Sequence, residues 1–334
     1  MGHTLMADNG KAELANRHKP ATASSAGRPG TWLLVVAGIA VIVMGYGNFR
    51  GAVTPAEVAA EAFDTAGLET IHVTNRSSSI VFGQADVSEV QVSLSGNVNS
   101  DQLQVERDGS NLNINVRRQW WTLPFLNFRG HELTVLLPRN FEPVVEITSS
   151  SGRVLLEEAS LAGVMVRSSS GRVCLDDATV EGDVTISTSS GAVCVQDVDI
   201  AGRLAVTVSS GSADLVDALA DSYDFISSSG RFSAEGLAGT TLNARVSSGR
   251  LTLEAETLLE DWNVQSSSGG VTVSFGKPPA DFTLDHEASS GGLRVSDRYG
   301  LELPNGRRNQ VTASFGNGGP RLSVRTSSGR FTLD

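Results

Sequence analysis

The chain has 334 residues, with 26 Lys+Arg against 37 Asp+Glu and a formal net charge of −11. With no basic stripe along it, that balance excludes nucleic acid as a partner held through phosphate contacts. Aromatic residues are only 6%, which suits thin layers filled by Val and Leu, and the 35 Gly belong to turns rather than to disorder.

Residues 1–31 read as a tail in which Lys11, Arg17, Lys19 and Arg28 outnumber Asp8 and Glu13, the bias expected of a cytoplasmic segment. Residues 32–48 come next and read as a transmembrane anchor. The run from Trp32 to Gly47 carries no charge, and as a helix it would span ~24–27 Å, just short of a hydrocarbon core. Trp32 and Tyr46 stand near its two ends, where amphipathic rings favour the interface. The rival reading is a cleaved signal peptide. The long leader speaks against it, and Gly45 and Gly47 are weak cleavage cues. No Cys follows the run, so a lipoprotein is not expected. Residues 49–68, rich in Ala, Thr and Glu, read as a linker with room for a short helix.

Residues 69–147 are β-rich but out of register with the C-terminal half of the chain, and read as an N-terminal cap. Ser77-Ser78-Ser79-Ile80-Val81 looks like a degenerate turn. Residues 103–116 read as a hairpin around Asp108-Gly109. Residues 117–129 interrupt the cap with Trp120, Trp121, Phe125 and Phe128 between arginines. That segment either closes the end of the core or lies on a membrane surface or partner.

From residue 148 to 334 the chain repeats itself. Ser-Ser-Gly occurs nine times, ending at Gly152, Gly171, Gly191, Gly211, Gly230, Gly249, Gly269, Gly291 and Gly329. Seven of the intervals are 19–22 residues, and the last is 38. A tenth copy fits inside the long interval if Asn309 stands for Gly, since Val311-Thr312-Ala313-Ser314-Phe315-Gly316 matches Val271-Thr272-Val273-Ser274-Phe275-Gly276. The second and fourth residues after each Gly are apolar, as in Val173/Leu175 and Val193/Val195, which is the alternation of a half-buried strand. A second short strand precedes the turn, as in Val164/Val166 and Trp262/Val264. Such a unit cannot bury its own apolar face, and stacking the units at the ~4.8 Å spacing of a sheet merges them into one core. The predicted fold is all-β: a parallel β-solenoid of about ten turns, capped at its N-terminal end and preceded by one transmembrane helix. A closed barrel or sandwich is the alternative.

These Ser-Ser-Gly-Arg-Val units behind a β-rich segment resemble the bacterial "putative adhesin" β-strand repeat family, a domain of unknown function, over roughly residues 69–334. The resemblance implies a β-solenoid outside the bacterial cytoplasmic membrane or on the cell surface.

Alternation turns the first, third and fifth residues after each Gly outward. The first is Arg at Arg153, Arg172, Arg231, Arg250 and Arg330, and in those same units the fifth is acidic: Glu157, Asp176, Glu235, Glu254 and Asp334. Stacked arginines repel and acids offset them, so the two columns read as solvated charge ladders. A stripe for an anionic glycan or lipid headgroup is the functional alternative. Cys174 and Cys194, the only cysteines, occupy the third position of consecutive units. One sheet spacing apart, they are candidates for a disulfide, which a compartment outside the cytoplasm permits. The acids Glu157, Glu158, Asp176 and Asp177 read as exposed charge rather than a calcium site. The repeated serines read as turn formers, since a nucleophile is one activated residue and not nine equivalent ones. His286 replaces an apolar residue in a second strand and is expected to be partly buried.

No catalytic, metal or cofactor residues are expected. Residues 330–334 read as a final strand with an open edge, available to a partner or a second copy. The function expected is non-catalytic binding or structure in the envelope, toward a protein or glycan. The alternatives are a carbohydrate-active β-helix enzyme and a stress-signalling module acting through the anchor.

Overall fold

The computed structural model describes residues 57–96, 102–117, 131–238, 240–300 and 309–334. The expected tail and anchor, and the aromatic insertion from residue 118, lie outside these residues. Among the described residues no helix is long and apolar enough to cross a membrane.

The described chain is all-β. Its strands are β1 (Glu57–Phe63), β2 (Thr70–Asn75), β3 (Ser79–Ala85), β4 (Val90–Ser95), β5 (Leu103–Asp108), β6 (Asn111–Val116), β7 (Glu132–Pro138), β8 (Val144–Ser149), β9 (Arg153–Leu161) and β10 (Gly163–Val180). Then come β11 (Val184–Leu237), β12 (Thr241–Ala255), β13 (Trp262–Ser266), β14 (Gly270–Phe275), β15 (Phe282–Ala288), β16 (Gly292–Val295), β17 (Gln310–Phe315), β18 (Arg321–Thr326) and β19 (Arg330–Leu333). A 3-10 turn, Asp297–Tyr299, follows β16.

The sequence period is the pairing register. β10 lies parallel to β11 with Gly171 opposite Gly191, Val173 opposite Val193 and Leu175 opposite Val195. On its other side β10 meets β9, with Val173 opposite Val154. Residues one repeat apart are therefore neighbours, and their inward side chains form continuous buried columns. Each fully buried Val, Leu or Phe contributes about 1.5–3 kcal/mol.

A third inward pair completes each middle lap and was not separated from its predecessor in the sequence. Ala159/Leu161, Ala178/Val180, Val198/Ile200 and Ala218/Ala220 are all buried. The corner before each pair is made by Glu158, Asp177, Asp197 and Asp217 at φ 47–52°, and Gly236 takes the same place at φ 69°. Asp tolerates the left-handed region better than most residues because its short polar side chain bonds locally. These acids therefore serve as corner residues.

The Ser-Ser-Gly corners work differently. A Cβ on Gly171 would lie 1.9 Å from the carbonyl oxygen of Gly152, one on Gly191 2.1 Å from that of Gly171, and one on Gly230 1.9 Å from that of Gly211. Glycine backbones thus stack in contact. Beside six of the nine, a Ser or Thr three residues ahead of the Gly points inward. Ser168 Oγ donates to the Ser170 carbonyl (3.0 Å), and the Gly269 amide donates to Ser266 Oγ (3.1 Å). In the degenerate N-terminal turn Asn75 does the same work, donating from Nδ2 to the Ser78 carbonyl (2.6 Å) and accepting from the Ser78 amide (3.1 Å).

The stacking order departs from chain order at both ends. In the glycine column, Gly329 contacts Gly269 and Gly291 contacts Gly329. β18 lies between β13 and β15, and β19 lies between β14 and β16, all parallel. The expectation of an open edge at residues 330–334 is therefore overturned, because both edges of β19 are paired. The end of the chain is also latched. The Asp334 amide donates to the Val273 carbonyl (2.9 Å), and the Asp334 carbonyl accepts from Tyr299 Oη (2.9 Å) and from Arg298 Nη2. The tenth copy at Asn309 is overturned too. β17 runs antiparallel on β15 and closes that end of the ladder, with His286 opposite Val311.

The N-terminal end mirrors this. β2 lies between β6 and β8, and β3 between β7 and β9. The outer side is closed by antiparallel strands, β5 on β6 through the hairpin expected at Asp108-Gly109, β4 on β7, and β1 on β4. β1 falls in the segment read as a linker with room for a helix. Its Ala and Glu favour a helix, but an edge on β4 offers backbone partners along its length, so it is a strand.

Candidate functional site

The charged columns are interrupted. Arg153 stacks on Arg172 and Glu157 on Asp176, and Arg231 stacks on Arg250. Beyond these, Arg172 faces Ala192, Arg250 faces Gly270 and Arg330 faces Gly292. Among the described residues no ion pair joins the arginine column to the acids Glu157, Asp176, Glu235, Glu254 or Asp334. Four residues of strand separate the two columns by about 13 Å, which explains it. Among the described residues the ion pairs are Arg203–Asp183 (3.8 Å), Lys277–Glu256 (2.8 Å) and Arg325–Glu287 (3.5 Å), and His72 Nδ1 lies 3.1 Å from Glu146 Oε2.

Glu157 is half-buried, and burial first, then Glu158, Asp176 and Glu132, raises its pKa above 4.5. The folded state therefore holds this proton more tightly than the unfolded chain does. The ionised carboxylate opposes folding at neutral pH, and that opposition fades as pH falls through the raised pKa. Glu157→Gln is expected to raise the melting temperature at pH 7, with the advantage gone below the ordinary carboxylate value of 4.5. Melting curves of both proteins across that range check it.

Cys174 and Cys194 stand opposite each other in register and are joined by a disulfide, with Cα atoms 4.6 Å apart and a sequence separation of 20. A loop of that size is worth about 3 kcal/mol. Reduction is expected to lower the urea midpoint accordingly in an unfolding titration with and without a thiol reductant. Among the described residues no group of three His, Cys, Asp or Glu side chains is placed to hold a metal ion. His286, expected to be partly buried, is fully so, with its ring stacked on Phe331 at 5.6 Å.

A groove of about 450 Å³ crosses the outer face of β12, β13, β18 and β15. One row of its lining is Arg245, Gln265, Arg325 and Glu287, consecutive in the ladder register. Two residues along each strand, Ser247, Ser267, Ser327 and Ser289 add a row of exposed hydroxyls. Arg325 keeps 58% of its side chain exposed beside Glu287. The groove continues toward a smaller one of about 220 Å³ where Arg325 also lines the wall, with Asp261, Asn263 and Arg321. The Arg321 amide donates to Asp261 Oδ1 (2.7 Å), which ties the two laps together.

Sequence reasoning missed this groove because Arg325 reaches Gln265 only through the out-of-order insertion of the last lap. The available signal was the fourth residue before each Gly, an outward position filled by Arg245, Gln265, Glu287 and Arg325. A second missed feature is Tyr223. Its buried hydroxyl donates to the Ala218 carbonyl (2.9 Å) and accepts from the Ala220 (3.1 Å) and Ala238 (3.2 Å) amides, and burial raises its pKa.

A protein-family model described as Toastrack DUF4097 matches residues 68–334. No curated protein matches the chain. Solved structures with similarity include a "putative lipid binding protein" from Parabacteroides distasonis, at 13% identity over 83% of this chain and 96% of that one, TM-score 0.45. A "putative adhesin" from Bacteroides fragilis has 12% identity over 85% and 100%, TM-score 0.39. A "putative cell adhesion protein" from Clostridium sporogenes has 10% identity over 84% and 98%, TM-score 0.29.

Proposed function

From the premise that this chain belongs to the Toastrack DUF4097 family, we propose that it is a membrane-anchored parallel β-solenoid of the bacterial envelope that binds and does not catalyse. Residues 1–31 lie in the cytoplasm, residues 32–48 cross the membrane, and the solenoid stands in the periplasm or outside. The solenoid reading is supported by parallel ladders offset by one repeat. The anchor rests on the uncharged run and the basic tail before it.

The observation that carries the binding role is the groove on β12, β13, β18 and β15, whose recognition groups come one or two from each lap. A ligand lying across the laps is read by many weak contacts, whereas chemistry needs a nucleophile and base gathered at one point.

Two measurements on cells making the full chain test this. Protease added to intact spheroplasts should degrade the β-domain and spare a fragment carrying residues 1–31. A photo-reactive side chain at position 245 should form adducts in envelopes that one at position 172 does not. A β-domain protected until the membrane is opened overturns the location. Equal labelling at both positions overturns the groove as the place of binding.

A further inference from the structure

We infer that this groove binds an acidic oligosaccharide that carries a carboxylate on every second ring or so; the assignment rests on the binding role above. Arg245 and Arg325 flank Gln265 in a single register row. Two strand spacings separate them, ~9.6 Å, about the length of a disaccharide. Guanidinium groups match carboxylates with paired hydrogen bonds. Gln265 between them offers both a donor and an acceptor to a ring hydroxyl, and the serine row adds more of each.

The charge count selects a sparsely charged ligand. Two arginines against Glu287 leave the row at +1. A dense polyanion such as a polyphosphate would be repelled by the Glu287 carboxylate beside Arg325, while a sugar hydroxyl can donate to it. The wider field agrees. Residues 148–240 carry 5 basic and 13 acidic side chains, net −8, whereas residues 241–334 carry 10 of each, net 0. An anion is repelled by the middle laps and tolerated at the groove. An acyl chain is not served, because the exposed large apolar residues Val216, Leu219, Ile226 and Leu259 all lie outside the lining. The volume of about 450 Å³ is in the ordinary range of ligand sites. Its continuation past Arg325 toward Arg321 suits an extended chain.

The test is isothermal titration of the full chain in detergent micelles with a hexamer of alternating glucuronic acid and N-acetylglucosamine, its fully methyl-esterified form and inorganic phosphate. The hexamer is expected to bind, the ester at least tenfold more weakly, and phosphate not measurably. Arg245→Ala and Arg325→Ala should each weaken the hexamer about tenfold, and the double variant should abolish binding. Ser267→Trp should also abolish it by filling the groove without changing charge. Arg153→Ala/Arg172→Ala, on another face of the stack, should bind as the native protein does. All these residues point outward, and thermal melts of each variant verify that it is folded.

Failure of the hexamer to bind, equal binding of the ester, phosphate binding as tight as the hexamer's, or undiminished binding by the double variant overturns the assignment. If the hexamer fails while envelope adducts still form at position 245, the ligand class is wrong and the binding role stands. If neither appears, both are wrong.

Discussion

Deleting residues 321–334 is expected to release all of β15–β17 from the stack instead of shortening it by one lap. Leu322, Val324, Phe331 and Leu333 are fully buried. At about 1.5–3 kcal/mol each, they represent about 6–12 kcal/mol, comparable with the stability of a whole domain. The deletion also uncovers two faces at once. Val264 and Val273 lose their partners on one side, and Leu284 and Leu293 lose theirs on the other. In a stack held by nearest-neighbour contacts, β15–β17 are then tethered by chain alone. Limited proteolysis should cut throughout residues 276–300 in the deleted protein and spare that region in the native one. Phe331→Ala is the milder version, expected to cost about 3–5 kcal/mol in a urea titration. A deleted protein with native protease resistance would contradict the pairing of β18 and β19.

The second large effect is expected from two adjacent glycines. Gly269→Ala should destabilise severely, while Gly270→Ala should be tolerated. A Cβ on Gly269 would stand 2.2 Å from the Gly249 carbonyl oxygen, whereas one on Gly270 meets nothing within 4 Å. Overpacking of this kind costs about 1–3 kcal/mol where neighbours can move. A stacked backbone cannot move without parting the ladder, so the upper end of that range or more is expected. Gly269 lies outside the positive-φ window, so its requirement is space alone. Gly230→Ala adds backbone strain at φ 137°, about another 1–3 kcal/mol. Urea midpoints of the three variants separate the two causes. Equal midpoints for Gly269→Ala and Gly270→Ala would refute the close-approach argument.

The neighbour relation between repeats was legible because it depends only on a fixed period. Val173 beside Val193 follows from counting, and so does the meeting of Cys174 with Cys194. The order of laps was not legible. Nothing local in Arg321–Thr326 says that it lies between β13 and β15, since its alternation is that of any other lap. Position 309 misled for a similar reason. Residues 311–316 repeat the pattern of residues 271–276, yet alternation does not distinguish a parallel neighbour from an antiparallel lid. The corner acids were read as surface charge because a left-handed Asp has no sequence mark beyond its place in the count. The groove inherits these gaps, since Arg325, Thr326 and Ser327 of its wall are supplied by the displaced lap.

The interleaved ends carry a consequence for how such a chain changes length over generations. The first lap made, β2 with β3, is wedged beneath one made later, and the last, β18 with β19, beneath one made earlier. Neither terminus offers a free surface on which an added repeat could seat. Gene duplication can lengthen the protein only between residues 144 and 275, where chain order and spatial order agree. Relatives of differing size should therefore differ in the middle and keep both closures intact.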